Sequence, residues 1–381
     1  MNIDVFFSPV DKIDVKKGTA GSFIDAYHKS FPNWEDADIV FFTVDSSSNQ
    51  GDINKTIAVD PFRIYLYELF LAKAVKIADL GVLIAGKQKK DTTAAIKEIT
   101  SAVNSKGKLL VIIGGEQELT YANFLGYEKS EQLVNLVVVD QKVNLLIDDK
   151  TSISSNNFLN HILLHEPNYL FNFSQIGYQN YFVSNEQLKF FDNLYFDLLR
   201  LGDVQSDIKK TEPLLRNADL LSIDLSCIRK SEFNGSFDAG PNGLFGNEIC
   251  QLMKYAGISD KLSSIGLHNF QNNALFQEDA MLIAQMMYFL ITGFSDRKGD
   301  FPIGTKHDHL KYVVFHEELN HDLVFHKSQK SDRWWLEVPY PPIKEFKFER
   351  HHLIPCDFLD YQNAQEGIIP DLWWRTYRKL N

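Results

Sequence analysis

Short apolar runs alternate with helical patterns from the N-terminus to about residue 300. Leu109 to Ile113, Leu133 to Val139 and Leu220 to Ile223 are predominantly apolar, as is typical of strands that are buried on both faces. Thr93 to Ser105 instead has apolar residues at helical spacing, and Lys106 and Gly107 end that pattern. The alternation predicts a three-layer α/β fold, with a mostly parallel sheet covered by helices on both faces.

Further elements follow from the same patterns. They are strands at Ala37 to Val44 and Ser263 to Leu267, and helices at Asp207 to Asn217, Glu248 to Tyr255 and Phe276 to Gly293. The most apolar stretch, Met281 to Phe294, is too short to span a bilayer and is predicted to be a buried helix. We therefore expect no membrane span.

The amino-acid composition of the chain changes after residue 300. Four of the five tryptophans lie in the pairs Trp334-Trp335 and Trp373-Trp374, while Lys311 to Phe315 and Asp322 to Phe325 resemble two short strands joined by a polar turn. We predict an α/β domain over residues 1–300 and an aromatic-rich C-terminal extension over 301–381. The extension would wrap around the domain or dock onto another protein.

Composition narrows the range of functions. A net charge of −11 and a pI near 5.5 argue against nucleic acid or an anionic membrane as the main partner. The N-terminus has no basic segment followed by an apolar one, so no signal peptide is expected. Three widely spaced cysteines indicate neither a disulfide framework nor a thiolate metal site, and they favour a reducing, cytoplasmic location.

Three polar segments follow directly on three of the predicted strands. They are Gly114-Gly115-Glu116-Gln117-Glu118, Asp140-Gln141-Lys142-Val143-Asn144 and Ser222-Ile223-Asp224-Leu225-Ser226. Ligands of parallel α/β sheets bind beyond the carboxyl ends of the strands, where these segments would lie. The segments resemble the Gly-Gly-Asp-His-Ser, Asp-Ala-His-x-Asp and Ser-x-Asp-x-Asp motifs of the arginase, agmatinase and formimidoylglutamase family, the ureohydrolases.

The resemblance extends over about residues 35 to 295. It includes Asp60-Pro61-Phe62-Arg63, Ile77-Ala78-Asp79-Leu80-Gly81, Leu119-Thr120-Tyr121-Ala122 and Pro241-Asn242-Gly243-Leu244. The last of these is more similar to the formimidoylglutamase branch than to arginase. The resemblance implies an arginase-like fold. In active members it also implies two divalent metals, usually manganese, which share a hydroxide and are held by two histidines and four carboxylates.

Most of those metal ligands are replaced in this chain. Position by position, the resemblance puts Gln117 and Lys142 where the family has histidines, and Asn144 and Ser226 where it has carboxylates. Asp140 and Asp224 remain, at the positions of the carboxylates that bridge the two metals. On the substrate side, Leu267 stands where the family often has an acidic residue, just before His268-Asn269.

A charge argument suggests what replaces the metals. A protonated lysine offers only donors and cannot bind a cation, whereas two buried carboxylates need a compensating charge. The hypothesis is that the Lys142 ammonium lies between Asp140 and Asp224 as an ion cluster, so that no cofactor is needed. The alternative is a divergent site in which Asp140, Asn144 and Asp224 hold manganese, with Glu116 or Glu118 as further ligands.

Other candidates have structural explanations. Glu116 and Glu118 are expected to be an exposed turn pair, and Cys227 a buried cysteine at a strand end. Histidines of the extension are expected to lie at the surface rather than bind zinc; they are His307, His309, His316, His321, His326, His351 and His352. Adjacent residues of an extended segment point to opposite faces, so each tryptophan pair needs a second surface, which favours a protein partner.

The expected function is therefore a catalytically inactive ureohydrolase-like protein with a binding or assembly role. Trp334, Trp335, Trp373 and Trp374 are the candidate interaction residues, and a homo-oligomer is an open alternative. The competing function is a metal-dependent hydrolase of formiminoglutamate or a related guanidino compound. A sensor that binds a small anion near Lys142 is a third class.

Overall fold

The computed structural model of the protein describes residues 3–44, 61–84, 86, 88–130, 132–147, 151–269, 277–303, 308–341 and 348–381. Asp60, Phe276 and His307, which the sequence analysis includes in its segments, lie outside the described residues.

A large, mostly parallel sheet forms the centre of the fold, as predicted. Its strand order is β1-β4-β3-β5-β10-β9-β6-β7-β8, with β2 paired to β4 and only β1 antiparallel. The bounds are β1 Phe7–Ser8, β2 Ile24–Ala26, β3 Ile39–Val44, β4 Ile77–Leu83, β5 Leu109–Gly114, β6 Val134–Val139, β7 Leu170–Tyr178, β8 Asp197–Arg200, β9 Leu220–Asp224 and β10 Ser264–His268.

Helices cover both faces of this sheet, because successive residues of each buried strand supply apolar side chains to opposite sides. One apolar cluster joins Phe41 and Val111 to α1, α8 and α9, and another joins Phe42 and Ile112 to α2 and α3. The bounds are α1 Pro61–Glu68, α2 Lys89–Ser105, α3 Leu119–Leu125, α4 Phe158–Leu163, α5 Asn185–Asn193, α6 Leu201–Ser206, α7 Thr211–Asn217, α8 Gly246–Gly257 and α9 Gln277–Ser295.

The predicted elements are present, with shifted ends. The helix expected over Asp207 to Asn217 is divided into a 3-10 turn at Ile208–Lys210 and α7, because the Asp207 side chain caps the turn at the Lys209 amide. The helix α9 is largely buried, and no helix of the described residues is long and apolar enough to cross a membrane.

The C-terminal extension contains a separate antiparallel sheet. Its strands pair in the order β11-β12-β13-β14. This sheet shares one buried apolar cluster with the main sheet, to which Leu136 and Phe173 contribute from one side and Phe325 and Leu336 from the other. The bounds are β11 His309–His316, β12 His321–Ser328, β13 Trp334–Glu337, β14 Leu353–Cys356, α10 Phe358–Gln365 and α11 Asp371–Leu380.

Two expectations about the aromatic residues of the extension are wrong. Trp334 and Trp335 do point to opposite faces of β13, but both faces are covered within the chain, so both rings are buried. Trp334 packs on Tyr361 of α10, and Trp335 packs under the guanidinium of Arg216, which lies 4.6 Å from its ring centre. The second pair is helical, not extended.

In that helical pair, Trp373 is buried and Trp374 is 38% exposed.

Among the described histidines of the extension, five are buried rather than at the surface, and His321 is half-buried. His309, His316 and His326 direct Nε2 to the Asp300 carbonyl, the Gly367 carbonyl and the Glu337 carboxylate, at 3.0, 2.9 and 2.8 Å. His351 and His352 are buried as well. The side chains of these five histidines are covered by other parts of the chain, whereas Lys311, Val313 and Phe315 on β11 are exposed.

Candidate functional site

Four neighbouring strand ends bring the predicted site residues together. The strands β5, β10, β9 and β6 are adjacent and parallel, so the residues that follow them meet at one edge of the sheet. Gln117 follows β5, Asn269 follows β10, Asp224 ends β9 and Asp140 follows β6. These four side chains and Asn144 are called the former metal cluster below, after the metal-ligand positions that the resemblance implies for Gln117, Asp140, Asn144 and Asp224.

Two carboxyl groups lie at the centre of the former metal cluster, both almost fully buried. Asp140 accepts hydrogen bonds from the Lys142 backbone amide at 3.0 Å and from Asn144 Nδ2 at 2.6 Å. Asp224 accepts a 2.8 Å hydrogen bond from the Ser226 backbone amide and another from Asn269 Nδ2. Each carboxyl group therefore meets one backbone amide and one side-chain amide.

The Gln117 amide bridges the two carboxyl groups, with one heavy atom 2.9 Å from Asp140 Oδ2 and 3.2 Å from Asp224 Oδ2. If that atom is the nitrogen, it donates to both carboxylates, which suits the ionised pair, but it then lies 2.6 Å from Asn144 Nδ2. Two donors cannot pair, so the Asn144 amide then has to turn its oxygen towards Gln117 and gives up its hydrogen bond to Asp140. If it is the oxygen, it accepts from Asn144 Nδ2 at 2.6 Å and requires a proton on one carboxyl group. The amide can thus pair with the cluster in either protonation state.

Burial favours protonation of the two carboxyl groups in the cluster. Desolvation is the main cause that raises the pKa of Asp224 to about 6. Burial and the neighbouring charge of Asp224 raise the pKa of Asp140 well above its usual range. A proton and amide donors thus provide the compensation that a cation was expected to provide.

The predicted Lys142 ion cluster is wrong. The Lys142 ammonium lies 5.7 Å from the ring centre of Phe182, and no ion pair joins it to Asp140 or Asp224 among the described residues. Its backbone amide is already bonded to Asp140, and the side chain leaves the cluster towards a partly exposed aromatic ring. The ammonium keeps contact with water there, whereas between the carboxyl groups it would be desolvated.

Residues beside the cluster differ from expectation in one respect. Glu116 is exposed as predicted, but Glu118 is 8% exposed and pairs with Lys89 at 2.8 Å. Both glutamates bind this lysine, away from Asp140 and Asp224. Cys227 is buried at the strand end, as predicted, and burial raises the pKa of its thiol well above its usual range.

His268 ends β10 beside the cluster but turns away from it. Its Nδ1 lies 3.2 Å from the Gly114 carbonyl, and its ring covers the position that a side chain at Gly266 would occupy. Burial lowers the pKa of His268 to about 4, so the ring is neutral. Leu267, at the family's acidic position, is buried within the sheet.

The residues present do not fit a pair of divalent metals. Among the described residues, no group of three or more histidine, cysteine, aspartate or glutamate side chains is arranged to hold a metal. The amide nitrogens of Asn144 and Asn269 point at the carboxylates, so donors occupy the space where a cation requires lone pairs. Asp140, Asn144 and Asp224 do come together, but as partners of one another.

Two other segments of the resemblance meet in the fold. Arg63 donates to both oxygens of Asp79 at 2.6 and 2.8 Å, and Tyr67 donates to the same carboxylate at 2.7 Å. All three side chains are buried. This pair joins α1 to β4, which explains on structural grounds why the sequence carries an arginine and an aspartate there.

Sequence reasoning missed Asn269 as a member of the cluster. Its backbone has φ of 61°, which asparagine tolerates better than most residues. Its backbone N–H donates to the Gly115 carbonyl at 2.8 Å. That backbone conformation turns the side chain onto Asp224. The signal available in the sequence was an asparagine directly after a buried strand that neighbours the strand of Asp224.

Comparison with solved structures shows the same architecture. Formiminoglutamase of Trypanosoma cruzi with Mn²⁺ superposes with a TM-score of 0.59 at 18% identity, over 69% of this chain and 95% of that chain. Formimidoylglutamase of Bacillus subtilis gives 0.60 at 13% identity, over 75% and 95%. Agmatine ureohydrolase of Thermoplasma volcanium gives 0.56 at 18%, over 74% and 96%.

No curated protein matches the sequence. The family model of the arginases matches residues 56–290, well over half of the chain. That range includes β6, which Asp140 follows, and β9, which ends at Asp224, and it excludes the antiparallel sheet of the extension. The chain belongs to the arginase family.

Proposed function

We propose that this chain is a non-hydrolytic member of the arginase family with a binding or assembly role. The observation that supports this proposal is the direction of the amides in the former metal cluster: Asn144 and Asn269 donate to the only two carboxyl groups there. Hydrolysis by a binuclear site needs a metal-activated hydroxide, and metals need oxygen and nitrogen lone pairs that face inward. Here the inward positions are donors.

A comparison of metal contents tests the loss of hydrolysis. The wild-type chain, purified with manganese, should contain far less than one metal per chain and release no formamide or urea from formiminoglutamate or agmatine. The matched control is the variant Gln117→His, Lys142→His, Asn144→Asp, Ser226→Asp, which restores lone pairs at the four altered positions. Stoichiometric manganese in the wild type, together with turnover, would refute the proposal.

For the binding role, we propose that a protein partner adds a strand to β11. Among the described residues, β11 pairs only with β12, so its outer backbone edge is available. Val313 and Phe315 are 52% and 59% exposed on this strand, and exposed apolar edge strands are common sites of strand addition. Of the four tryptophans, only Trp374 is exposed enough to contribute to the same interaction.

Surface substitutions test the partner proposal without removal of the extension, because the extension shares a core with the main domain. Val313→Lys with Phe315→Lys should abolish recovery of specific partners or of an oligomer by affinity purification and light scattering. Lys311→Glu on the same strand is a control that keeps the apolar residues. If the double variant retains every partner and the same mass, β11 is not the interface.

A further inference from the structure

A cavity, called the second cavity here, lies near the amino-terminal ends of β6 and β7, whereas the former metal cluster lies at the carboxyl ends of the strands. The volume of the second cavity is about 300 Å³, and its walls come from β6, β7, β8 and α7 of the main domain and from β14 and α11 of the extension. This volume is at the lower end of the range that is typical of small-molecule binding pockets. The proposed loss of hydrolysis at the carboxyl ends has no bearing on this cavity.

The floor of the cavity is polar where a parallel sheet is normally apolar. Asn135 on β6 is the register partner of Asn172 on β7, and Ser174 on β7 is the register partner of Asp197 on β8. Asn135, Asn172 and Ser174 are at most 8% exposed. Asparagine, serine and aspartate are disfavoured in strands, so a row of them across three strands is costly unless something pairs with them.

One wall brings a lysine onto this polar row. Lys379 of α11 donates from Nζ to Asn172 Oδ1, and Asn172 Nδ2 donates to Asp197 Oδ2 at 3.0 Å. The Asn172 amide thus separates an ammonium from a carboxylate, and the two charges form no ion pair among the described residues. Burial lowers the pKa of Lys379 to about 8, which reflects the desolvation of its ammonium.

One polar atom of the cavity lining has no partner. Asn135 is 2% exposed, and among the described residues nothing donates to its Oδ1, although its Nδ2 donates to the Asn217 carbonyl at 2.9 Å. A buried acceptor without a donor is costly, and such an atom in a cavity wall usually pairs with a ligand or water. The polar row therefore offers an ammonium, a free amide oxygen and the Asp197 carboxylate, which also accepts from the Ser174 hydroxyl at 3.1 Å. The rest of the lining carries charges of both signs, on Lys210, Asp357, Asp360, Asp371 and Arg375.

We propose that this cavity binds a small zwitterion of the α-amino acid class. The ligand carboxylate meets the ammonium of Lys379, which has donors left after its bond to Asn172. The ligand ammonium donates to Asp197 and to Asn135 Oδ1. A simple anion would leave the carboxylate and the free acceptor unmatched, and a simple cation would leave the lysine unmatched.

Thermal shift and calorimetric titration of the full chain test this site. The probes are the standard amino acids, each at about 10 mM, and the single-charge controls are acetate and methylamine at the same concentration; about 10 mM detects even millimolar affinity. We expect at least one amino acid to bind saturably and neither control to match it. If no amino acid binds, or if acetate binds as well, the proposal is wrong.

Two variants locate the binding. Lys379→Met keeps the aliphatic stem and removes the ammonium, and Asp197→Asn keeps the shape and removes the charge, so each should weaken binding by about tenfold or more. Arg378→Met, an exposed neighbour on the same helix, is the matched control and should bind as the wild type does. Unchanged affinity in the Lys379→Met variant, with its fold intact by circular dichroism, would place the ligand elsewhere and refute the proposal.

Discussion

The substitution Asp224→Asn should stabilise the protein at neutral pH. Asp224 is almost fully buried, and burial raises its pKa from 3.8 to about 6. Because the folded-state pKa is above the unfolded-state value, this group contributes its full stability below pH 3.8 and loses it as the pH rises through about 6. At neutral pH the folded chain therefore carries a buried carboxylate that opposes folding, and the amide removes that charge.

The expected size follows from the pKa shift. A shift of about two units corresponds to about 3 kcal/mol between acidic and neutral pH, which is an upper bound because the neighbouring Asp140 shares the proton. We expect the variant to exceed the wild type by about 1–3 kcal/mol at pH ~7.5 and by much less at pH ~4.5. Asn269 can turn its amide oxygen towards the new Nδ2, so the hydrogen bond survives.

Urea denaturation at the two pH values measures the difference. Asp11→Asn, at an exposed position, is the matched control and should change neither value appreciably. A variant that is less stable than the wild type at both pH values would show that the Asp224 charge is favourable in the folded state. A cation in the cluster would have that effect, and the reasoning from desolvation would then be refuted.

Urea denaturation also tests four further substitutions. Lys142→Met should cost less than about 1 kcal/mol, the size of a cation–π contact, and a larger loss would indicate an ion pair. Trp335→Ala should cost about 3–5 kcal/mol because its ring is fully buried against Arg216 and His309, whereas Trp374→Ala should cost less than about 1 kcal/mol; equal losses would contradict the burial. Arg63→Met should cost about 3–5 kcal/mol because it leaves Asp79 buried and unpaired, and a neutral effect would contradict that account.

The sequence was sufficient to predict the fold of the main domain. Buried parallel strands are apolar on both faces, so β5, β6 and β9 stand out from the helices between them. The strand β7 was missed because asparagine, serine and glutamine interrupt its apolar residues, and some of these belong to the second cavity. The polar residues that weaken this strand pattern thus lie where the sheet faces a cavity rather than a close-packed apolar layer.

The orientation of Lys142 and the burial of the tryptophans could not be predicted in the same way. Charge arguments indicate that the buried carboxyl groups of Asp140 and Asp224 need their negative charge compensated. A count of formal charges, however, does not include a proton on a carboxyl group or the donors of neutral amides. Trp334 and Trp335 do need two surfaces, as their adjacency implies. The sequence around Trp334 and Trp335 does not show that both surfaces belong to the same chain, because α10 and the main domain are distant from it along the chain.

Under the proposed function, the amides of the former metal cluster explain how positions that the resemblance assigns to metal ligands are compatible with the fold. Asparagine has nearly the shape of aspartate, so Asn144 can occupy the place of a carboxylate ligand without disturbing the backbone, while its nitrogen supplies the positive end of a dipole. Each such replacement removes one negative charge that a cation would have to balance. It also adds a hydrogen-bond donor that stabilises the remaining carboxylates. Asp140 and Asp224 remain as the costly part of the cluster at neutral pH, and a chain only has to stay above the stability that folding requires.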